Sequence, residues 1–368
     1  MIYLDHAATT PADPRVIDAM AECMRSAWRN PSAAYASAGA ARRVLRQARQ
    51  ALADMLNAAP QAVLFTSGGT EANNLALTVA RGGHAVVSAI EHASVLNAAK
   101  AMCREVTLVA PNGDGVVTPE AVRRALRPDT RLISVQLVNN ETGVLQPVAE
   151  IGALARSRRI PMHCDAVQAF GHLPVDVAAL NVDLLSLSGH KLYGPRGVGA
   201  LYARQGVAPE PMLVGGGQEF GLRAGTENLP AIHGLAVAAE LARADMDERA
   251  LRERALLEGF LRDLRDRIPA CRLLGEGAPR HPALAALLMP GLPSEQAIAA
   301  LDLRGVEVSG GAACASRERA ASHVYRAMGL GEAEAACVLR VSIGRSTTEN
   351  DLRVAAEAIE EVYKTNRP

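Results

Sequence analysis

The chain has 368 residues, 39 Lys and Arg against 39 Asp and Glu, and 49% hydrophobic residues, enough to fill a large core in two or three domains. Zero net charge argues against a partner held by bulk electrostatics, so neither nucleic acid nor an acidic membrane is expected as a partner. The longest stretch without Asp, Glu, Lys or Arg is 55–70, too short and too polar to span a bilayer, and the N-terminus MIYLDHAATTP has no basic-then-apolar pattern, so a cytoplasmic location is expected.

From 62 to 204, short β-branched runs alternate with helical stretches. Strands are predicted at 62–67, 84–90, 131–138, 160–165, 183–188 and 197–203, with amphipathic helices at 71–81, 119–127 and 148–157. This alternation predicts an α/β fold with a mainly parallel sheet covered on both faces, and ligands in such sheets bind at the carboxyl ends of the strands. A long charge-laced helix follows over 231–267, ended by Pro269. Apolar runs at 283–289, 297–303 and 306–309, a Gly-Ala-rich loop at 309–316 and a last helix near 349–363 predict a smaller α+β domain. The six cysteines (23, 103, 164, 271, 314, 337) form no CxxC pair, so neither a disulfide framework nor a zinc-ligand set is expected.

The residues able to carry chemistry lie mostly at predicted strand ends. In TSGGTEANN (66–74), Gly68 and Gly69 allow close backbone approach, the helix start offers free N–H groups to an anion, and Thr70 adds a hydroxyl; the alternative is an ordinary tight turn. His92 follows the next strand and can stack on a flat ring and carry protons, or be structural. Asn139 and Asn140 cap another strand, either as turn residues or as ligand donors. Asp165 ends a buried strand, as a helix N-cap or as the counter-charge of a protonated ring nitrogen, with Gln168 one turn on. Lys191, in SLSGHKLYGP, is one of only three lysines. It is a snorkelling side chain or an amine able to form a Schiff base, with Ser188 and His190 beside it. Cys314 sits in a small-residue segment ahead of Arg317, Glu318 and Arg319, as a tolerated small residue or a thiolate nucleophile. Arg340, in an apolar run, requires a carboxylate from the protein or from a substrate. A phosphate cradle, an acidic partner for a pyridinium nitrogen and a Schiff-base lysine, in that order, are the parts a pyridoxal 5'-phosphate site requires.

The segments YLDHAATTP (3–11), FTSGGTEANN (65–74), VNNETG (138–143), HCDAVQ (163–168), SLSGHKLYGPRGVGALY (186–202), GGGQEFGLRAGTEN (215–228) and SGGAACAS (309–316) resemble the cysteine desulfurases of the nitrogen-fixation and iron–sulfur-cluster type, within the class V aminotransferases. The resemblance runs over nearly the whole chain. It implies the fold type I architecture of pyridoxal-phosphate transferases, with a seven-stranded-type sheet in a large domain (13–255) and a small domain formed by 1–12 and 256–368. It implies a homodimer acting on L-cysteine and passing sulfur to a protein acceptor such as an iron–sulfur scaffold. It further implies that Lys191 holds the cofactor, Asp165 pairs with its ring nitrogen, Gln168 meets its ring oxygen and His92 stacks on it. Gly69, Thr70, Ser188, His190 and, across the dimer, Thr226 bind its phosphate. Asn140 and Arg340 orient the substrate carboxylate, and Cys314 takes the sulfur as a persulfide. Selenocysteine lyases and other class V lyases or aminotransferases are the rival readings. The sequence departs from the family pattern at Arg29 and Tyr35, which bears on the entrance and the dimer contact, and at Phe220 and in a short C-terminal end, which bear on acceptor docking and sulfur hand-off.

Overall fold

The computed structural model describes residues 1–311 and 322–366. The chain enters through a short strand, β1 (Ile2–Tyr3), and two amphipathic helices, α1 (Pro14–Ser26) and α2 (Gly39–Leu56). Asp13 accepts the Arg15 N–H to cap α1, and Pro14 opens it where its missing N–H costs nothing. α1 buries Val16 and Cys23, and α2 buries Ala41, Ala48, Leu52, Ala53 and Leu56; the sequence reading placed neither helix.

Then come β2 (Val63–Thr66), α3 (Gly69–Leu77), β3 (His84–Ser88), α4 (Ala93–Met102), β4 (Glu105–Val109), α5 (Pro119–Ala125), β5 (Thr130–Ser134), α6 (Val148–Ser157), β6 (Met162–Asp165), β7 (Leu184–Ser188) and β8 (Gly199–Ala203). Their strands form a seven-stranded sheet in the order β2-β8-β7-β6-β5-β3-β4, parallel except at β8, which runs against both neighbours. β2, β3, β6 and β7 are buried at every position, as expected where helices cover both faces. Two predicted strands overran. The ladder stops at Ser88 and Ser134 because the chain beyond is held by side chains instead: Gln136 N–H donates to Glu91 Oε1 and Asn139 Nδ2 to the Ile90 carbonyl. The helix predicted at 71–81 begins at Gly69 and closes at Leu77 in a 3₁₀ turn, where the Thr78 hydroxyl donates to the Leu75 carbonyl.

A 39-residue helix, α7 (Leu229–Arg267), follows. Its buried residues fall in two groups: Ala231 to Ala242 join the core under the large sheet, and Leu257, Phe260, Leu261 and Leu264 join a second core. Between them the buried members are Arg249 and Glu253. The remaining elements are β9 (Arg272–Leu273), β10 (Leu284–Leu288), α8 (Ser294–Asp302), β11 (Val306–Glu307), α9 (His323–Ala327), α10 (Glu332–Ala335), β12 (Val338–Ser342) and α11 (Glu349–Asn366). β12-β10-β9 is antiparallel, and β11 pairs in parallel with β1. Side chains alternate across this small sheet: Ala285, Leu287, Leu339 and Val341 face the second core, and Ala286, Leu288 and Val338 face the first. Arg340 therefore lies on the side toward the large sheet. Among the described residues no helix is long and apolar enough to cross a membrane.

Candidate active site

A cavity of about 230 Å³ opens at the carboxyl ends of β2, β3, β5, β6 and β7, between the large sheet and β12. Ten of the twelve residues singled out in the sequence line it: Gly69, Thr70, His92, Asn140, Asp165, Gln168, Ser188, His190, Lys191 and Arg340. Thr226 is exposed and is not among the lining residues. Cys314 lies outside the described residues.

The glycine corner is dictated by space and backbone. Gly68 has φ 152°, which a side chain would strain. A Cβ on Gly69 would stand 2.7 Å from Val167 Cγ2. With both positions bare, the first turn of α3 presents its unpaired N–H groups at the cavity mouth.

Asp165 ends β6 and is buried. Its Oδ1 accepts the Val167 N–H at 2.9 Å and its Oδ2 accepts the Asn73 side-chain amide at 2.7 Å. The chain turns here instead of starting a helix, so Asp165 is not the helix N-cap that the sequence allowed, and Gln168 sits in that turn, its amide donating to the Ala7 carbonyl at 2.8 Å. Glu91 is fully buried nearby; burial first, then the Asp165 charge, push its carboxyl well above the ordinary range.

The Lys191 amine donates to the Ala7 carbonyl and, at 2.8 Å, to the Ala8 carbonyl. Those neutral acceptors help to hold it at the cavity wall. His190, next to it, has its imidazole pushed down to about 4 by burial and then by the Lys191 charge, so it stays neutral; its Nδ1 meets the Thr9 hydroxyl at 3.1 Å. His92 caps α4, its Nδ1 accepting the Ser94 N–H at 3.1 Å. Burial lowers its pKa, and the Asp165 charge opposes that shift.

Arg340 is 1% exposed. Its Nη2 meets Asp5 Oδ1 at 2.7 Å and its Nη1 donates to the Asn140 carbonyl at 3.0 Å, while Nε is buried without a partner among the described residues. The carboxylate the sequence demanded is thus a protein one, and donor capacity remains toward the cavity. Asn139 and Asn140 divide the two roles left open: Asn139 Oδ1 accepts the Glu141 and Thr142 N–H groups and shapes the turn, and Asn140 lines the cavity. Burial pushes Glu141 upward too, and Ser322 Oγ donates to it at 2.6 Å.

Asn73, Ser94, Gln136, Ala7 and Ala8 also line the cavity and escaped the sequence reading. Asn73 was within reach of it, being one helical turn after Gly69 and so on the same face of α3. Ala7, Ala8 and Asp5 carry no local signal, because their roles come from backbone carbonyls and a pairing 335 residues away.

Residues 2–354 match the family described as aminotransferase class-V. The chain belongs to that family. It is 40% identical to the cysteine desulfurase IscS of Methanosarcina thermophila, an alignment that takes in 100% of this chain and 93% of that one. Among solved structures, a NifS-like protein from Rickettsia africae superposes with a TM-score of 0.92 at 33% identity, covering 99% of both chains. SspA in complex with cysteine superposes with a TM-score of 0.81 at 35% identity, over 93% of this chain and 99% of the other. The seven-stranded, mostly parallel sheet is the fold type I arrangement expected for this class V chain. Phe220, a departure from the family pattern, stacks on Arg49 (5.0 Å) in a turn where Glu219 and Phe220 both have positive φ; Glu219 clamps Arg49 through two hydrogen bonds of 2.7 and 2.8 Å.

Proposed function

We infer that the protein is a pyridoxal-phosphate-dependent cysteine desulfurase, releasing alanine from L-cysteine and passing the sulfur to an acceptor. The carrying observation is one cavity that joins a buried carboxylate, Asp165, a lysine amine, Lys191, and a side-chain-free glycine corner. The residues fit the cofactor: Asp165 is fixed as an acceptor facing the cavity, Gly69 leaves no room for a Cβ, and the Lys191 amine lies at the wall, donating to the Ala8 carbonyl. When bound, pyridoxal phosphate supplies the electron sink that loosens bonds at an amino acid's carbon skeleton.

In this reading Lys191 anchors the cofactor and then carries a proton at Nζ. Asp165 faces the ring nitrogen, Gln168 the ring oxygen, and His92 one ring face. Gly69, Thr70, Ser188 and His190 hold the phosphate, joined by Thr226 of the partner subunit. Asn140 and Arg340 take the substrate carboxylate, for which the free Nε of Arg340 is suited. The Cys314 thiolate attacks the substrate sulfur. An S–S bond forms, the C–S bond breaks, its electron pair stays with the carbon fragment, and protonation of that fragment yields alanine.

The homodimer, the cytoplasmic location, the two-domain division at 255/256 and an iron–sulfur scaffold as acceptor belong to the same proposal. Exposed apolar side chains at Met212, Leu213, Val214 and Phe220, close in sequence to Thr226, support a subunit contact there. The test is to load the protein with pyridoxal phosphate, record its visible spectrum, add L-cysteine with a thiol reductant, and quantify sulfide and alanine. Equimolar products, abolished in Lys191→Ala and Cys314→Ala, are expected. A bound-cofactor band without sulfide would overturn the substrate assignment.

A further inference from the structure

Between Asp165 and His92 lies a continuous run of hydrogen bonds whose direction is set by chemistry. Asn73 is 1% exposed, and one atom of its amide lies 2.7 Å from Asp165 Oδ2 and 2.9 Å from Ser94 Oγ. A carboxylate oxygen here can only accept, so that atom is Nδ2, with one N–H for each partner. Ser94 Oγ, accepting from Asn73, keeps its own proton to donate, and His92 Nδ1 stands 2.7 Å away. Nδ1 also receives the Ser94 backbone N–H. With two donors aimed at it, Nδ1 has no place for a proton. The ring proton must then sit on Nε2, which has no bonding partner among the described residues, on a side chain that lines the cavity.

We propose that Asn73 and Ser94 are positioning residues that lock His92 as its neutral Nε2–H tautomer, so that the imidazole presents a hydrogen-bond donor, not a lone pair, to the ligand in the cavity. The consequence rests on the cofactor reading above. In the resting site His92 cannot take a proton at Nε2 and offers only a donor there. Asn73 acts as a polarity setter: its two donors point one way to Asp165, keeping it an acceptor, and the other way, through Ser94, to His92. Among the described residues, the charged and titratable groups that act on the imidazole are Asp165, Lys191 and His323, and His323 Nε2 is itself held by the Glu91 carbonyl at 2.9 Å.

The test is nitrogen NMR of the full-length, cofactor-free protein carrying ¹⁵N-histidine, with the His92 signals identified by their loss in His92→Gln. The expected wild-type spectrum has an unprotonated Nδ1 and a protonated Nε2. Ser94→Ala removes one of the two donors, which shifts the tautomer ratio toward Nδ1–H by roughly fivefold or more and raises the His92 titration midpoint, while Ser94→Thr restores both. Asn73→Asp is isosteric, and the one proton it shares with Asp165 leaves no donor for Ser94, so the Ser94 hydroxyl turns round to donate to it. The same tautomer shift is then expected at His92 although Ser94 is untouched, an effect a merely structural asparagine would not produce. A protonated Nδ1 in the wild type, or an unchanged His92 in Ser94→Ala, overturns the proposal, and the serine pair decides it even where Asn73→Asp does not fold. Binding of pyridoxal phosphate, titrated separately, tests the cofactor reading and leaves this one standing or falling on the spectrum.

Discussion

Asp5→Asn tests how the buried guanidinium at the cavity edge is balanced. Arg340 is 1% exposed and its one ion-pair partner among the described residues is Asp5, at 2.7 Å; the Asn140 carbonyl and an unpaired Nε complete its surroundings. Neutralising Asp5 leaves a buried cation without a counter-ion, a loss of about 3–5 kcal/mol for pairs of this kind. The Asp5 side chain is 17% exposed, so water relieves part of that cost and the low end, about 3 kcal/mol, is expected. For a chain of 368 residues that is roughly 4 °C in Tm. Arg340→Met removes the cation itself, so Asp5→Asn/Arg340→Met is expected to be about 2 kcal/mol more stable than the sum of its single variants predicts. Urea unfolding followed by circular dichroism, run on all four proteins, measures this coupling. An Asp5→Asn variant within 0.5 kcal/mol of wild type, or a cycle that adds up without coupling, would refute the charge-balance argument.

Glu253, buried on α7, has its carboxyl raised to about 7, chiefly by burial, so between pH 4.5 and 7 the folded chain keeps a proton the unfolded chain has released. Stability therefore falls as pH rises through that window, by up to about 3 kcal/mol. Glu253→Gln is expected to raise Tm above pH 7 and to leave it unchanged below pH 4.5; an equal gain at both ends would contradict this. Gly69→Ala drives a Cβ to 2.7 Å from the branched Val167 side chain, whose N–H holds Asp165. Pyridoxal-phosphate affinity, measured by absorbance titration, should fall tenfold or more, and Gly69→Ala/Val167→Ala should recover most of it. Glu219→Gln weakens the clamp on Arg49 and the bond from the Phe65 N–H, a loss of about 2 kcal/mol. An unchanged thermal midpoint would show that the charge on Glu219 contributes nothing there.

The strand–helix alternation was readable because buried strands are written as short runs nearly free of charge, and β2, β3, β6 and β7 lie where those runs stand. The same logic located Asp165, Lys191 and the glycine corner, since in such a sheet polar residues after a buried run sit at the ligand end. α2 was harder to read because three of its five buried residues are alanines, which mark no face strongly. The ends of β3 and β5 were misplaced because Gln136, Glu91 and Asn139 side chains, not the ladder, satisfy the backbone there.

The sequence by itself determined the sheet, the strand-end site and the residue types that can bind a phosphate, a ring nitrogen and a carbonyl carbon. Those properties are local, carried by hydrophobic period, glycine conformational freedom and side-chain chemistry. Only the tertiary structure decided that Arg340 spends part of its guanidinium on Asp5, that Lys191 rests on the Ala7 and Ala8 carbonyls, and that Asn73 and Ser94 join Asp165 to His92. Apart from the Ser94–His92 bond, which is local to the start of α4, each of these is a hydrogen bond between segments far apart in the chain or on separate elements, and its partner is chosen by how the elements pack, which no local pattern of residues encodes.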